Sequence, residues 1–344
     1  MAESKFTLSV VDQSPVRKGS TAGEALRETI ELAAAVERLG YQRYWLAEHH
    51  NLPNFAGTSP EILIGQVAAR TSAIHVGSGG VMLSHYSALK VAENFRVLSA
   101  LYPGRIDLGL GRAPGSDPLT AAALAYPGVP NEVSQYPRQV VDLLGYLTGK
   151  TAEGHPFAEV LAGPGECPPV PQVWLLGSRG ESAYMAARLG LPFSYAHFFG
   201  HGVDEGPAIV EGYRRQFQPS VYLAQPLVNV TVHVLCAETE AKARQLAASR
   251  DLARLNSRLG QAEGIPSVAE ALAYPYSNGE RLYIEQQRRG CIDGDPKQVL
   301  RGLEAIREQY QTPDIGVVTV CHGFQERVRS YELVAQACGI SPRS

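Results

Sequence analysis

Two adjacent histidines, His49 and His50 in the run LAEHH, are the residues of this chain best suited to moving a proton near neutral pH. At a strand end neighbouring side chains face opposite ways, so one ring points into the space there and the other serves the structure. Their spacing excludes an HExxH zinc site, which needs two histidines one helical turn apart. His197 and His201 have that spacing, but the FFG between them reads as loop, which weakens a metal site there.

GSRGES, at 177–182, joins an apolar run to a helical pattern. The free N–H groups of a helix start attract an anion. Gly177 lets the backbone approach it, Ser178 and Ser182 add hydroxyl donors, and Arg179 adds charge. In the competing reading Ser178 caps the helix and Arg179 is solvated. Arg112, in GLGR, either clamps a phosphate through two N–H bonds or pairs with Asp117 or a neighbouring glutamate. The stretch GLGRAPG is a poor dinucleotide fingerprint: its third glycine comes one residue late, Pro114 stands where a helix should begin, and no acidic residue is placed for a ribose. Gly79 and Gly80, in VGSGGVMLSHY at 76–86, bare the backbone where a strand ends, so a flat ligand can lie directly on the main chain. A flat ligand carrying a phosphate reads as a flavin. With no GxSxG elbow and no cysteine in an activating setting, covalent hydrolysis is disfavoured.

Such a site needs a scaffold that gathers distant loops on one rim. β-Branched and apolar runs at 6–11, 44–47, 74–78, 106–110, 173–176, 193–196, 227–235 and 315–320 alternate with helical patterns at 22–39, 59–69, 87–101, 136–147, 181–189, 204–217, 239–259, 295–310 and 324–337. Strands separated by helices pair in parallel, and eight such units predict an α/β fold, a (β/α)8 TIM barrel forming a single domain over 1–344. Residues 149–171 read as a surface excursion. Residues 260–290 fit no barrel element and read as an insertion, a lid in which Arg288 and Arg289 close over the site or stay solvated. In a barrel the site lies just past the strands, a rim that includes Asp12, Glu48, His197, Cys236, Cys321 and His322.

A net charge of −3 without basic runs gives no sign of nucleic acid or of an anionic membrane. The five cysteines are scattered and form no CxxC, which with the lack of a signal peptide or spanning apolar run predicts a reduced, cytoplasmic protein with no bound metal.

Together these stretches resemble the bacterial luciferase-like flavin monooxygenases, most strongly over 41–118 and 173–199, and in particular their single-chain oxidoreductase subgroup. The marks are LAEHH, VGSGGVMLSHY, GRIDLGLGR at 104–112 and LLGSRGESAYMAARLGLPFSYAHFF at 175–199. The resemblance implies that His49 is the active-site histidine beside the flavin and that a non-proline cis peptide joins Gly79 to Gly80 under the ring. It places Arg112, Ser178 and Ser182 at the FMN phosphate, with Gly177 and Arg179 in the same loop, and offers Tyr136 as a further flavin contact. It implies a homodimer that takes reduced FMN from a separate NAD(P)H:flavin reductase and uses O2 to oxygenate a small organic substrate. Gly111 stands where light-emitting members carry a reactive cysteine, so bioluminescence is not implied. Two rivals remain: a same-fold enzyme using the deazaflavin F420, for whose anionic tail no basic path is evident, and a flavin-binding barrel without turnover, against which the presence of His49 weighs.

Overall fold

The computed structural model describes residues 5–112, 117–165, 169–200 and 202–343. Its strands are β1 (Thr7–Asp12), β2 (Arg43–Leu46), β3 (His75–Met82), β4 (Ile106–Gly111), β5 (Gln172–Gly177), β6 (Phe193–Ala196), β7 (Val228–Cys236), β8 (Cys291–Gly294) and β9 (Asp314–Val318). The helices are α1 (Ala22–Arg38), α2 (Pro60–Arg70), α3 (Ala88–Leu101), α4 (Pro118–Ala125), α5 (Tyr136–Thr148), α6 (Gly180–Leu189), α7 (Gly206–Gln216), α8 (Glu240–Arg258), α9 (Val268–Ala273), α10 (Asn278–Arg288), α11 (Pro296–Tyr310) and α12 (Phe324–Cys338).

All strand pairs are parallel, and β1 to β7 with β9 close on themselves through β6–β7, β7–β9 and β9–β1. The result is the eight-stranded barrel expected from the alternation. The helices start and stop for local reasons. Thr21 and Glu24 form a capping box at the start of α1, and Asp295 with Gln298 does the same for α11, where Pro296 takes a first-turn position. After α1 the chain turns at Gly40, at φ +96°, where an added Cβ would sit 2.2 Å from the Ser341 carbonyl oxygen. Only glycine fits there.

Two apolar clusters hold the barrel. The larger lies between the outward strand faces (Tyr44, Val76, Leu108) and the helices (Leu32, Ile64, Phe95). Each fully buried aliphatic or phenyl side chain there contributes about 1.5–3 kcal/mol. The smaller fills the barrel interior, where Trp45 and Trp174 meet edge-on at 5.2 Å with Val11 and Val318 around them. These rings fit because neighbouring strands are bare: a Cβ on Gly79 would lie 2.9 Å from the Cβ of Trp45, and one on Gly109 would lie 2.2 Å from the Ser78 carbonyl oxygen. Below them a polar plug closes the amino-terminal end. Trp45 Nε1 donates to Asp107 (2.9 Å), Arg43 to Asp314 (2.9 Å) and Asn229 to Asp314 (2.7 Å).

The insertion at 260–290, which fits no barrel element, holds α9 and α10 and leads into β8. This strand, outside the barrel, pairs with the last residues of β7 (His233↔Cys291 to Cys236↔Gly294) beyond the barrel seam. The insertion also ties into the loops after β1 and β2, since Ile265 N–H donates to Val16 and Gly264 N–H to Asn54 Oδ1 (2.7 and 2.9 Å). Helix α4 is a further element that the sequence reading did not predict.

Candidate active site

At the carboxyl-terminal ends of the strands lies a cavity of about 210 Å³. Seven residues singled out from the sequence line it together: Gly79, Gly80, Arg112, Gly177, Ser178, Arg179 and Ser182. The register of β3 against β4 shifts between Ser78 and Val81, and the Gly79–Gly80 peptide within that shift is cis. The floor of the cavity is therefore largely main chain, with Trp45, Leu176, Phe198 and Phe199 as its apolar walls.

The opposite edge is a set of donors. Helix α6 starts here with Arg179 at its N-cap position and no side chain accepting from its first N–H groups. Ser178 thus does not cap the helix, and the orphan donors of the first turn are left for a ligand. Ser182 is buried and its hydroxyl bonds no other described residue; a Cβ at position 177 would press on that hydroxyl at 2.8 Å, which is why glycine precedes the turn. Among the described residues Arg112 pairs only with Glu181, at 3.7 Å, and Asp117 is engaged instead by Thr120 and Asn51. Two hydroxyls, a helix start and two guanidinium groups suit a phosphate, and the bare floor suits a flat ring. These residues fit FMN.

The two adjacent histidines take different settings. His50 is buried, with Nε2 2.7 Å from Glu48 Oε1. His49 stacks on Phe55 with ring centres 4.8 Å apart, and its buried Nδ1 has no hydrogen-bond partner among the described residues. Burial lowers its pKa from the usual 6.5 to about 4, against the opposing pull of the Glu48 carboxylate. The ring is therefore neutral at pH 7, a proton acceptor with one nitrogen uncommitted. It does not line the cavity described above. Tyr136 does not line it either; it is buried, 3.4 Å from the Leu110 carbonyl, and faces an adjoining cavity between α5 and α6.

One group went unassigned in the sequence reading. The Glu48 carboxylate is buried and accepts from Met82 N–H (3.0 Å) and the Tyr86 hydroxyl (2.8 Å) besides contacting His50. It thus anchors the segment that follows the Gly79–Gly80 floor. Glutamate and tyrosine both stand within the quoted motifs, but nothing in their separation links them. Other rim candidates turn away from the mouth. Asp12 pairs with buried Arg327 (3.1 Å) and Tyr44 (2.6 Å) behind β1. His197 Nδ1 contacts the Tyr310 hydroxyl at 2.9 Å, while His201 and Pro114 lie outside the described residues. Arg288 and Arg289 are held by Asp251 and Asp204, each at 2.7 Å, and neither lines the cavity.

The family model of luciferase-like monooxygenases matches residues 6–312. An N-acetyl-S-alkylcysteine monooxygenase of Bacillus subtilis is 35% identical to this chain over 331 residues, covering 96% of the chain and 97% of the relative. The crystal structure of apo-MsnO8 superposes with a TM-score of 0.89 at 39% identity, covering 98% of this chain and all (100%) of the other. At the level of fold alone, an FMN-bound type II Baeyer–Villiger monooxygenase from Pseudomonas putida covers 98% of this chain and 100% of its own (TM-score 0.72, 16% identity). A coenzyme F420-dependent tetrahydromethanopterin reductase from Methanopyrus kandleri covers 96% and 97% (TM-score 0.64, 15% identity).

Proposed function

The chain belongs to the luciferase-like monooxygenase family, and from that premise we propose that it is a two-component enzyme using reduced FMN and O2 to oxygenate a small organic substrate. The observation that carries this reading is the pairing of a main-chain floor at Gly79 and Gly80 with an uncapped helix start flanked by Ser178, Ser182, Arg112 and Arg179. Bound there, reduced FMN supplies the electrons and activates oxygen. The α6 N–H groups, the two serines and the arginines hold its phosphate, with Gly177 leaving room for the Ser182 hydroxyl. Trp45, Leu176, Phe198 and Phe199 keep water from the reacting face. His49, neutral at physiological pH, takes up a proton at its free nitrogen.

A separate NAD(P)H:flavin reductase delivers the cofactor in this reading, and the protein works as a cytoplasmic homodimer. Ile62 and Leu101, exposed on the adjoining helices α2 and α3, support self-association. No helix among the described residues is long and apolar enough to cross a membrane.

Anaerobic titration of the purified protein with reduced FMN, reduced riboflavin and reduced F420 tests the proposal. FMN binds tightest, and Arg112→Ala weakens FMN by tenfold or more while leaving riboflavin little changed. A preference for F420, or no binding of reduced FMN, overturns it. An oxygen pulse on the loaded protein then separates turnover from storage, since only an oxygenase consumes reduced FMN differently with His49→Ala.

A further inference from the structure

Beside the cavity wall formed by Phe198 and Thr231, four elements meet around one arginine. His233 follows Thr231 by two residues on β7, so it lies on the same face of the strand, one step nearer the rim. Its ring meets the Phe198 ring edge-on, with centres 5.6 Å apart. β8 brings Cys291 alongside His233. From α8, the Arg254 guanidinium donates to the Phe198 carbonyl and to the Cys291 sulfur, each at 3.5 Å.

Both of these partners are weak acceptors for a cation, one because the contact is long and one because it is a thiol. The neighbouring arginines are taken: Arg250 by Asp251 and Asp293, Arg288 by Asp251, and Arg289 by Asp204. Arg254 forms no ion pair with any described residue. A second polar group in this corner is also uncommitted. His233 is 4% exposed, yet its Nδ1 has no hydrogen-bond partner among the described residues. Burial, with the charges of Arg254 and Arg250, lowers the pKa of this ring well below 6.5, so Arg254 is the cation here.

We propose that the molecule oxygenated at this site carries a carboxylate, which Arg254 binds while the rest of the molecule lies against Phe198 and Thr231. The inference rests on the flavin reading of the cavity. A guanidinium without an anion offers its planar fork to two carboxylate oxygens at once, and its present contacts are weak enough to be exchanged for them. Arg112, Arg179 and the α6 start follow β4 and β5, whereas Arg254 stands on the β7 side, so the two sets of cations serve different groups. Arg254 lies inside α8, away from the free N–H groups of a helix start, which favours a planar monoanion over a phosphate.

Paired probes test this on protein loaded anaerobically with reduced FMN. Hexanoate and benzylthioacetate, each beside its methyl ester, are titrated by calorimetry into the wild type, Arg254→Met and Arg254→Lys. Each acid binds the wild type at least about tenfold tighter than its ester. Arg254→Met weakens the acids by about tenfold and leaves the esters and FMN within about twofold, whereas Arg254→Lys keeps an acid preference of about threefold or more. A merely structural role for Arg254 would shift acid and ester alike. Equal affinity for acid and ester in the wild type, no binding of either acid, or a preference that survives Arg254→Met overturns the carboxylate assignment and leaves the FMN reading standing. The wild-type comparison decides even where a variant fails to fold. Loading is measured first, so failure of FMN itself to bind is seen separately and overturns both.

Discussion

Lowering the pH should cost this protein stability through His49 in a way that can be isolated. In the unfolded chain the ring titrates near 6.5, and in the folded protein burial holds it at about 4. Below 6.5 the unfolded state binds a proton that the native state refuses, so stability present at neutral pH is lost as pH falls and the loss is complete below 4. For these two values the loss between pH 7.5 and pH 5 is about 2 kcal/mol, rising to about 3 kcal/mol below pH 4. The ring is partly exposed, and solvent screening trims the first figure to about 1–2 kcal/mol. Urea unfolding at pH 7.5 and pH 5, run on the wild type and on His49→Gln, measures it as a difference of differences. His197 and His233, whose pKa values burial also lowers, are present in both proteins and cancel. Equal losses in the two proteins would refute the reasoning, as would a His49 ring proton resonance that titrates near 6.5. In turnover the same neutral ring predicts a rate limb that is flat from pH 8 down to about 5.

Three further outcomes follow from contacts described above. Arg327→Met leaves the buried Asp12 carboxylate without its counter-charge behind β1 and should destabilise by about 3–5 kcal/mol in urea, with flavin binding by the surviving native protein unchanged. Gly80→Ala drives a Cβ to 2.7 Å from the Gly109 carbonyl, so it should lower stability by about 1–3 kcal/mol and weaken FMN binding severalfold; an unaltered FMN titration would show that the floor is not the ring site. Glu48→Gln takes a carboxylate from three donors at once and should cost about 1–3 kcal/mol in thermal melts, whereas Tyr86→Phe, which removes one of those donors, should cost less.

The barrel was legible because alternation at two periods is a strong signal over eight repeats. The seven expected residues that line the cavity were legible because they cluster at the ends of β3, β4 and β5 and at the start of α6. What escaped had weaker local signals or none. β8 is four residues with mixed polarity and gains its pairing only from the end of β7. α4 is apolar on all sides and so has no periodic face. For α9 and α10 the signal was present and unused: Ser267 with Glu270 and Ser277 with Glu280 are both capping boxes. The Glu48–Tyr86–Met82 anchor depends on strands meeting in space, and the placement of Tyr136 beside the adjoining cavity depends on how α5 and α6 pack. Spacing along the chain encodes neither.

The bare floor of the cavity bears on how this protein can change over generations. A surface made of peptide groups has no side chain to exchange, so substitutions at Gly79 or Gly80 can subtract from it but cannot retune it. Under the proposed function, new preferences for what is oxidised must therefore arise on the facing walls, around Phe198, Phe199 and Thr231. The half of the pocket proposed to carry the flavin is thus held constant by its own plainness, and the other half is left free to diverge.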